Sequence, residues 1–166
     1  MPPISLVLAT RSKDYVAGLT ATRVLGDATD HRLAAGVNAW LERMASAARV
    51  ACAKAQTYET KIGTLVETWR ARVTESHGAL RADAAVWTLL SVLPAAPLLT
   101  ASAAVELTGR SARAVDGAIA QLSAAGVLKQ IGGRIRYRVY EATGVFELVT
   151  DTERTPAAAS PPPPPS

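Results

Sequence analysis

The sequence predicts a mainly α protein in which long helices precede a winged helix-turn-helix domain with a small β-hairpin. Three observations carry this expectation. Alanine is abundant and aromatic residues make up 5% of the chain, a composition that favours close-packed helices over sheet. Apolar residues recur at spacings of three and four through most of positions 30–76, with no proline between them. From Arg81 to Tyr140, three short helical signals are followed by two strand-like runs that flank Gly132-Gly133.

Taken in chain order, Pro2 and Pro3 open a first segment that reaches about Asp27, and Ile4–Tyr15 can form a short helix. Gly26-Asp27 reads as a break, with Thr29 or Asp30 placed to cap the next helix. The second segment, about Asp30 to Ser76, carries Leu33, Val37, Trp40, Leu41, Met44 and Ala48 on one helical face. The stripe continues through Cys52, Ala55, Ile62, Leu65, Trp69 and Val73. This is one extended helix or two with a bend, Gly36 and Gly63 each costing roughly 1 kcal/mol relative to alanine. A helix of this length cannot bury its own apolar face and needs a partner surface. Trp40 and Trp69 are read as core residues.

In the third segment Ala84, Ala85, Trp87, Leu89, Leu90 and Leu93 mark a first helix, stopped by Pro94 and Pro97. After Leu98-Leu99, Thr100 or Ser102 caps a second helix over Ala103–Leu107. Gly109 supplies the positive φ of a tight turn, and Ser111 caps a third helix with Val115, Ile119 and Leu122 inward and Gly126 at its end. Val127–Ile131 and Arg134–Tyr140 then form a hairpin around Gly132-Gly133. Its second strand alternates Ile135, Tyr137 and Val139 with Arg134, Arg136 and Arg138. Helix, helix, turn, helix and a basic hairpin is the winged-helix order. The domains are therefore read as a helical segment over 1–80, a winged helix over 81–150 and a disordered, polyproline-like tail over 151–166 that ends in Pro161–Pro165.

Winged helices bind nucleic acid or protein. For double-stranded DNA the candidate contacts are Ser111, Arg113 and Gln121 on the third helix and Lys129, Arg134, Arg136 and Arg138 on the wing, each phosphate contact adding about −0.9 to the salt slope. Arg113 and Gln121 are the base readers of this set. Against this, Asp116 would repel phosphate, and charges between Ala82 and Thr150 nearly balance. Arg110, Arg113, Lys129, Arg134, Arg136 and Arg138 stand against Asp83, Glu106, Asp116, Glu141 and Glu147. The alternative is a structural or protein-binding module with a solvated basic edge. A protein partner, or a second copy of the chain, would use the long helix.

The totals narrow the remaining classes. A net charge of +4 and a pI of about 9.6 fit nucleic-acid binding and many other roles. Cys52 is the only cysteine, so no internal disulfide or cysteine-based zinc site can form, and His31 and His77 stand alone. No basic run precedes Ile4–Leu8, and the weakly polar run Ala84–Leu99, broken by Pro94 and Pro97, is shorter than a membrane span. A cytoplasmic protein with no cofactor and no membrane contact is expected. Asp14, Asp27 and Asp30 fall close in sequence, where surface capping accounts for them.

Pro2-Pro3-Ile4-Ser5-Leu6-Val7-Leu8, followed by Arg11, Tyr15, Leu19 and Arg23, resembles the segment just after the catalytic motif of Fic (Fido) family proteins. The Trp40-bearing helix is similar to the family's next core helix. Trp69-Arg70 followed by a winged helix is similar to the C-terminal part of many Fic proteins, so the resemblance covers most of 2–150. It implies a helical Fic-core remnant ahead of the winged helix. Members of the family commonly transfer AMP from ATP to a protein hydroxyl, through the signature His-Pro-Phe-x-Asp/Glu-Gly-Asn-Gly-x-x-Arg. This chain has no His-Pro and no Gly-Asn pair, and no glutamate followed by Gly or Asn as the family's inhibitory motif needs. No catalytic, cofactor or metal residue is carried over. The expectation is a non-catalytic C-terminal fragment of a Fic-family protein whose winged helix binds DNA or protein. A free-standing winged-helix transcriptional regulator, or an accessory part of a Fic adenylyltransferase completed by a separate core, are the alternatives.

Overall fold

A computed structural model describes residues 7–9, 12–21, 23, 31–131 and 138–154. The described chain is mainly helical with a small three-stranded antiparallel sheet, the predicted class. Its compact units divide between Thr57 and Tyr58, inside a helix, whereas sequence reading set the domain boundary at 80/81.

Residues 7–9 are helical, and α1 spans Ser12–Ala21, running past Tyr15. The expected break at Gly26-Asp27 and the caps Thr29 and Asp30 lie outside the described residues. Helix α2, His31–His77, is one continuous 47-residue helix, so the choice between one helix and two resolves to one. Gly63 does not interrupt it.

Among the described residues of the first unit Val7, Ala47 and Ala51 are buried, with Leu8 and Val50 packed against them. The expected stripe is therefore only partly inward. Gly36, Ala47 and Ala51 are buried, while Val37 is 39% exposed, Leu41 51% exposed and Cys52 exposed. The inward line runs through the smallest side chains, which lets neighbouring segments approach the helix closely. A Cβ at Gly18 of α1 would stand 3.3 Å from Trp40 Cδ1. Trp40 is half-buried, and its indole N–H is buried without a partner among the described residues.

The second unit, from Tyr58, contains the end of α2, α3 (Ala85–Val92), β1 (Leu98–Thr100), α4 (Ala101–Thr108), α5 (Ala112–Ala124), β2 (Leu128–Ile131), β3 (Val139–Ala142) and α6 (Val145–Arg154). The sheet order is β1-β3-β2, both pairs antiparallel. This is the winged-helix order, and its core is continuous: Val86, Leu89, Leu90 and Leu93 from α3 and its end meet Val115, Ala118, Ile119 and Leu122 from α5. Trp69 and Val73 of α2 are fully buried in the same cluster, and Trp69 Nε1 donates to the Thr143 carbonyl at 3.2 Å. The Trp69 core assignment holds, but the core it belongs to is that of the winged helix. Arg70 places its guanidinium 5.7 Å from the ring centroid of the half-buried Trp87.

Three elements differ from expectation. β1 is a strand too short to show an alternating pattern, yet it pairs fully with β3, Leu99 opposite Tyr140. β3 runs past the expected end at Tyr140, to Ala142, and Ile131 stands opposite Val139. The Gly132-Gly133 turn and positions 134–137 of the expected strand lie outside the described residues. Helix α6 continues to Arg154, so residues 151–154 are helical where the Pro-rich tail was expected to begin. The rest of that tail, Pro161–Pro165 included, lies outside the described residues.

Candidate nucleic-acid interface

The helix-turn-helix is fixed by local chemistry. Thr100 Oγ1 accepts the Ala103 N–H at 3.2 Å and so caps α4, while Ser102 Oγ pairs with Thr100 Oγ1 instead of capping. Gly109, at φ 63°, closes α4 with its N–H on the Val105 carbonyl. That conformation is cheap only for glycine. Ser111 Oγ then accepts the Ala114 N–H at 3.4 Å and starts α5. Ser111 is thus committed to its own helix: it positions the reading helix and has its hydroxyl oxygen already engaged.

Arg113 is exposed, and the helical period sets it opposite the buried line of Val115, Ala118 and Leu122. No acidic residue occupies the first turn of α5, so the partial positive charge of that helix end is unopposed there. Arg110, which sequence reasoning passed over, belongs to the same end. It is exposed, and its Nη2 donates to Thr88 Oγ1 of α3 at 3.2 Å. The signal that could have found it is a lone arginine between the turn glycine and the cap. Gln121 is not part of this group. It is half-buried, about 12 Å further along the helix axis, and its carbonyl lies 3.0 Å from His77 Nε2. Between Arg113 and Gln121 the exposed surface is Asp116, Gly117 and Ala120.

On the wing, Lys129 and Arg138 are exposed at β2 and just before β3. Arg134 and Arg136 lie outside the described residues. Strand register adds a fact invisible in the linear sequence: Lys129 stands directly opposite Glu141. Directly opposed side chains lie about 4.5–5.5 Å apart at Cβ, so a carboxylate shares this edge with the Lys129 ammonium.

Elsewhere, Leu8, Tyr15, Gly18, Trp40, Met44 and Ala47 line a cavity of about 260 Å³ in the first unit, with Asp14, Arg43 and Ser46 at its wall. Among the described residues no three His, Cys, Asp or Glu side chains gather as a metal site, and no helix is long and apolar enough to cross a membrane. The sequence matches no protein-family model and no curated protein.

Proposed function

We propose that this chain is a non-catalytic, Fic-like helical protein of the cytoplasm whose winged helix docks on double-stranded DNA. The observation that carries the reading is the capped, acid-free start of α5, with Arg110 and Arg113 exposed beside it, on the element that enters the major groove in helix-turn-helix proteins. Lys129 and Arg138 supply further phosphate contacts. Arg113 is the base reader, and Ser111 positions it.

The test is a fluorescence-anisotropy titration of a short labelled duplex with the full chain, over roughly 50–200 mM salt. Three phosphate contacts, from Arg110, Lys129 and Arg138, predict a slope of about −2.7 in log K against log salt, at about −0.9 per contact. Arg113→Ala is expected to weaken binding and flatten sequence preference. Lys129→Ala with Arg138→Ala should weaken it uniformly and reduce the slope by about two thirds. A salt-independent signal, or unchanged affinity when Arg113→Ala, Lys129→Ala and Arg138→Ala are combined, would overturn the assignment.

A second reading, in which the winged helix receives a protein such as a separate Fic core, draws on the middle of α5. There the exposed residues are Asp116 beside the small Gly117 and Ala120, a surface that disfavours phosphate, and Leu107 of α4 is 51% exposed. A chain that retains its fold but binds no duplex at low salt would favour this reading.

A further inference from the structure

Among the described residues of the first unit Val7, Ala47 and Ala51 form the buried core, while Val37 and Leu41 on α2 remain 39% and 51% exposed. At about 100° per residue, Val37, Leu41, Ala48 and Cys52 fall on one side of the outward-facing Ala45, and Glu42 and Arg49 on the other. We infer that two copies of the chain pair antiparallel through this face of α2, about a two-fold axis beside Ala45.

The order of residues along this face is self-complementary. An antiparallel two-fold at Ala45 sets each residue against one as far from Ala45 on the other side, within one position. Leu41 meets Ala48 of the second copy, and Val37 meets Cys52. Glu42 meets Arg49, and symmetry forms that charge pair twice. The exposed Ala45 and half-buried Ala48 allow the helices to approach until Val37 and Leu41 are covered. A parallel two-fold would instead set the Glu42–Arg49 flank of one copy against the apolar flank of the other, leaving both charges without this pairing. The contact runs over about 24 Å of helix. It is independent of what the winged helix binds.

Cys52 supplies the test. Sedimentation of the full chain is expected to show a reversible monomer–dimer equilibrium. Val37→Cys under mild copper-catalysed oxidation should give a covalent dimer whose peptide map joins position 37 of one chain to Cys52 of the other. The unsubstituted chain should cross-link far less, because the two Cys52 residues lie on opposite sides of the axis. Glu42→Arg should weaken the dimer about tenfold, and Arg49→Glu added to it should restore the association. Both positions are exposed, so the fold is unaffected, and circular dichroism verifies that. A monomer mass at every concentration overturns the inference. So does efficient Cys52–Cys52 linkage in the unsubstituted chain, or a double swap that fails to restore.

Discussion

A methyl group added at Gly63 would meet nothing within 4 Å, whereas one added at Gly144 would lie 3.1 Å from Leu65 Cδ1, at a backbone φ of +93°. The same substitution should therefore act with opposite sign at the two sites. Gly63→Ala removes unfolded-state freedom from an exposed helix position and should stabilise the protein by about 0.5–1 kcal/mol. Gly144→Ala forces an L residue into a left-handed conformation against a packed leucine, and should cost about 1–3 kcal/mol. Urea unfolding followed by circular dichroism measures both, and equal shifts would contradict the packing described around Gly144. Lys129 teaches a related lesson. In sequence it heads a run of positive charge, but the ladder puts Glu141 opposite it, so charge along the chain and charge on the surface differ.

At the scale of elements, the caps hold the helix-turn-helix in register. Ser111→Ala removes the acceptor for the Ala114 N–H and should destabilise the second unit by about 1 kcal/mol, as should Thr100→Ala at the start of α4. A thermal melt that leaves both variants unchanged would show the caps to be dispensable. These elements were legible because caps and turn glycines are local: Thr100, Gly109, Ser111 and Gly126 each announce themselves within a few residues. β1 was not legible, since three residues carry no period and only pairing with β3 makes them a strand. α6 was hidden by the proline-rich composition just beyond it. The inward face of α2 was misjudged for another reason. Size was taken as the sign of burial, but alanines at 47 and 51 face the core while Val37 and Leu41 do not. Of the candidate interface, Arg113 was visible as an outward arginine. The half-burial of Gln121 was not, because it follows from tertiary packing, in which His77 Nε2 lies 3.0 Å from the Gln121 backbone carbonyl oxygen.

At the scale of the molecule, one helix contributes to two cores. Among the described residues the first unit buries Val7, Ala47 and Ala51, while the second buries a larger cluster that includes Trp69 and four side chains at α3. Local opening follows burial, so amide exchange should be graded along α2. Positions 62–73 are expected to exchange with the core of the winged helix, and positions 33–45 orders of magnitude faster at low protein concentration. Hydrogen-exchange mass spectrometry reads this directly, and uniform protection along the helix would contradict it. If α2 pairs as inferred, raising the concentration should slow exchange in 37–52 alone.

The burial of Trp69 and Val73 beneath α3 and α5 sets the smallest piece of this chain that heredity can move. A recombination event cutting at residue 80 would respect the visible motif yet leave behind the tryptophan that seals its floor and donates to the Thr143 carbonyl. The transplanted motif would arrive with a hole the size of an indole. The portable unit therefore begins upstream, near Tyr58. The winged helix and the half-helix before it must be inherited together, and substitutions at 69 and 73 are answerable to residues sixty or more positions away.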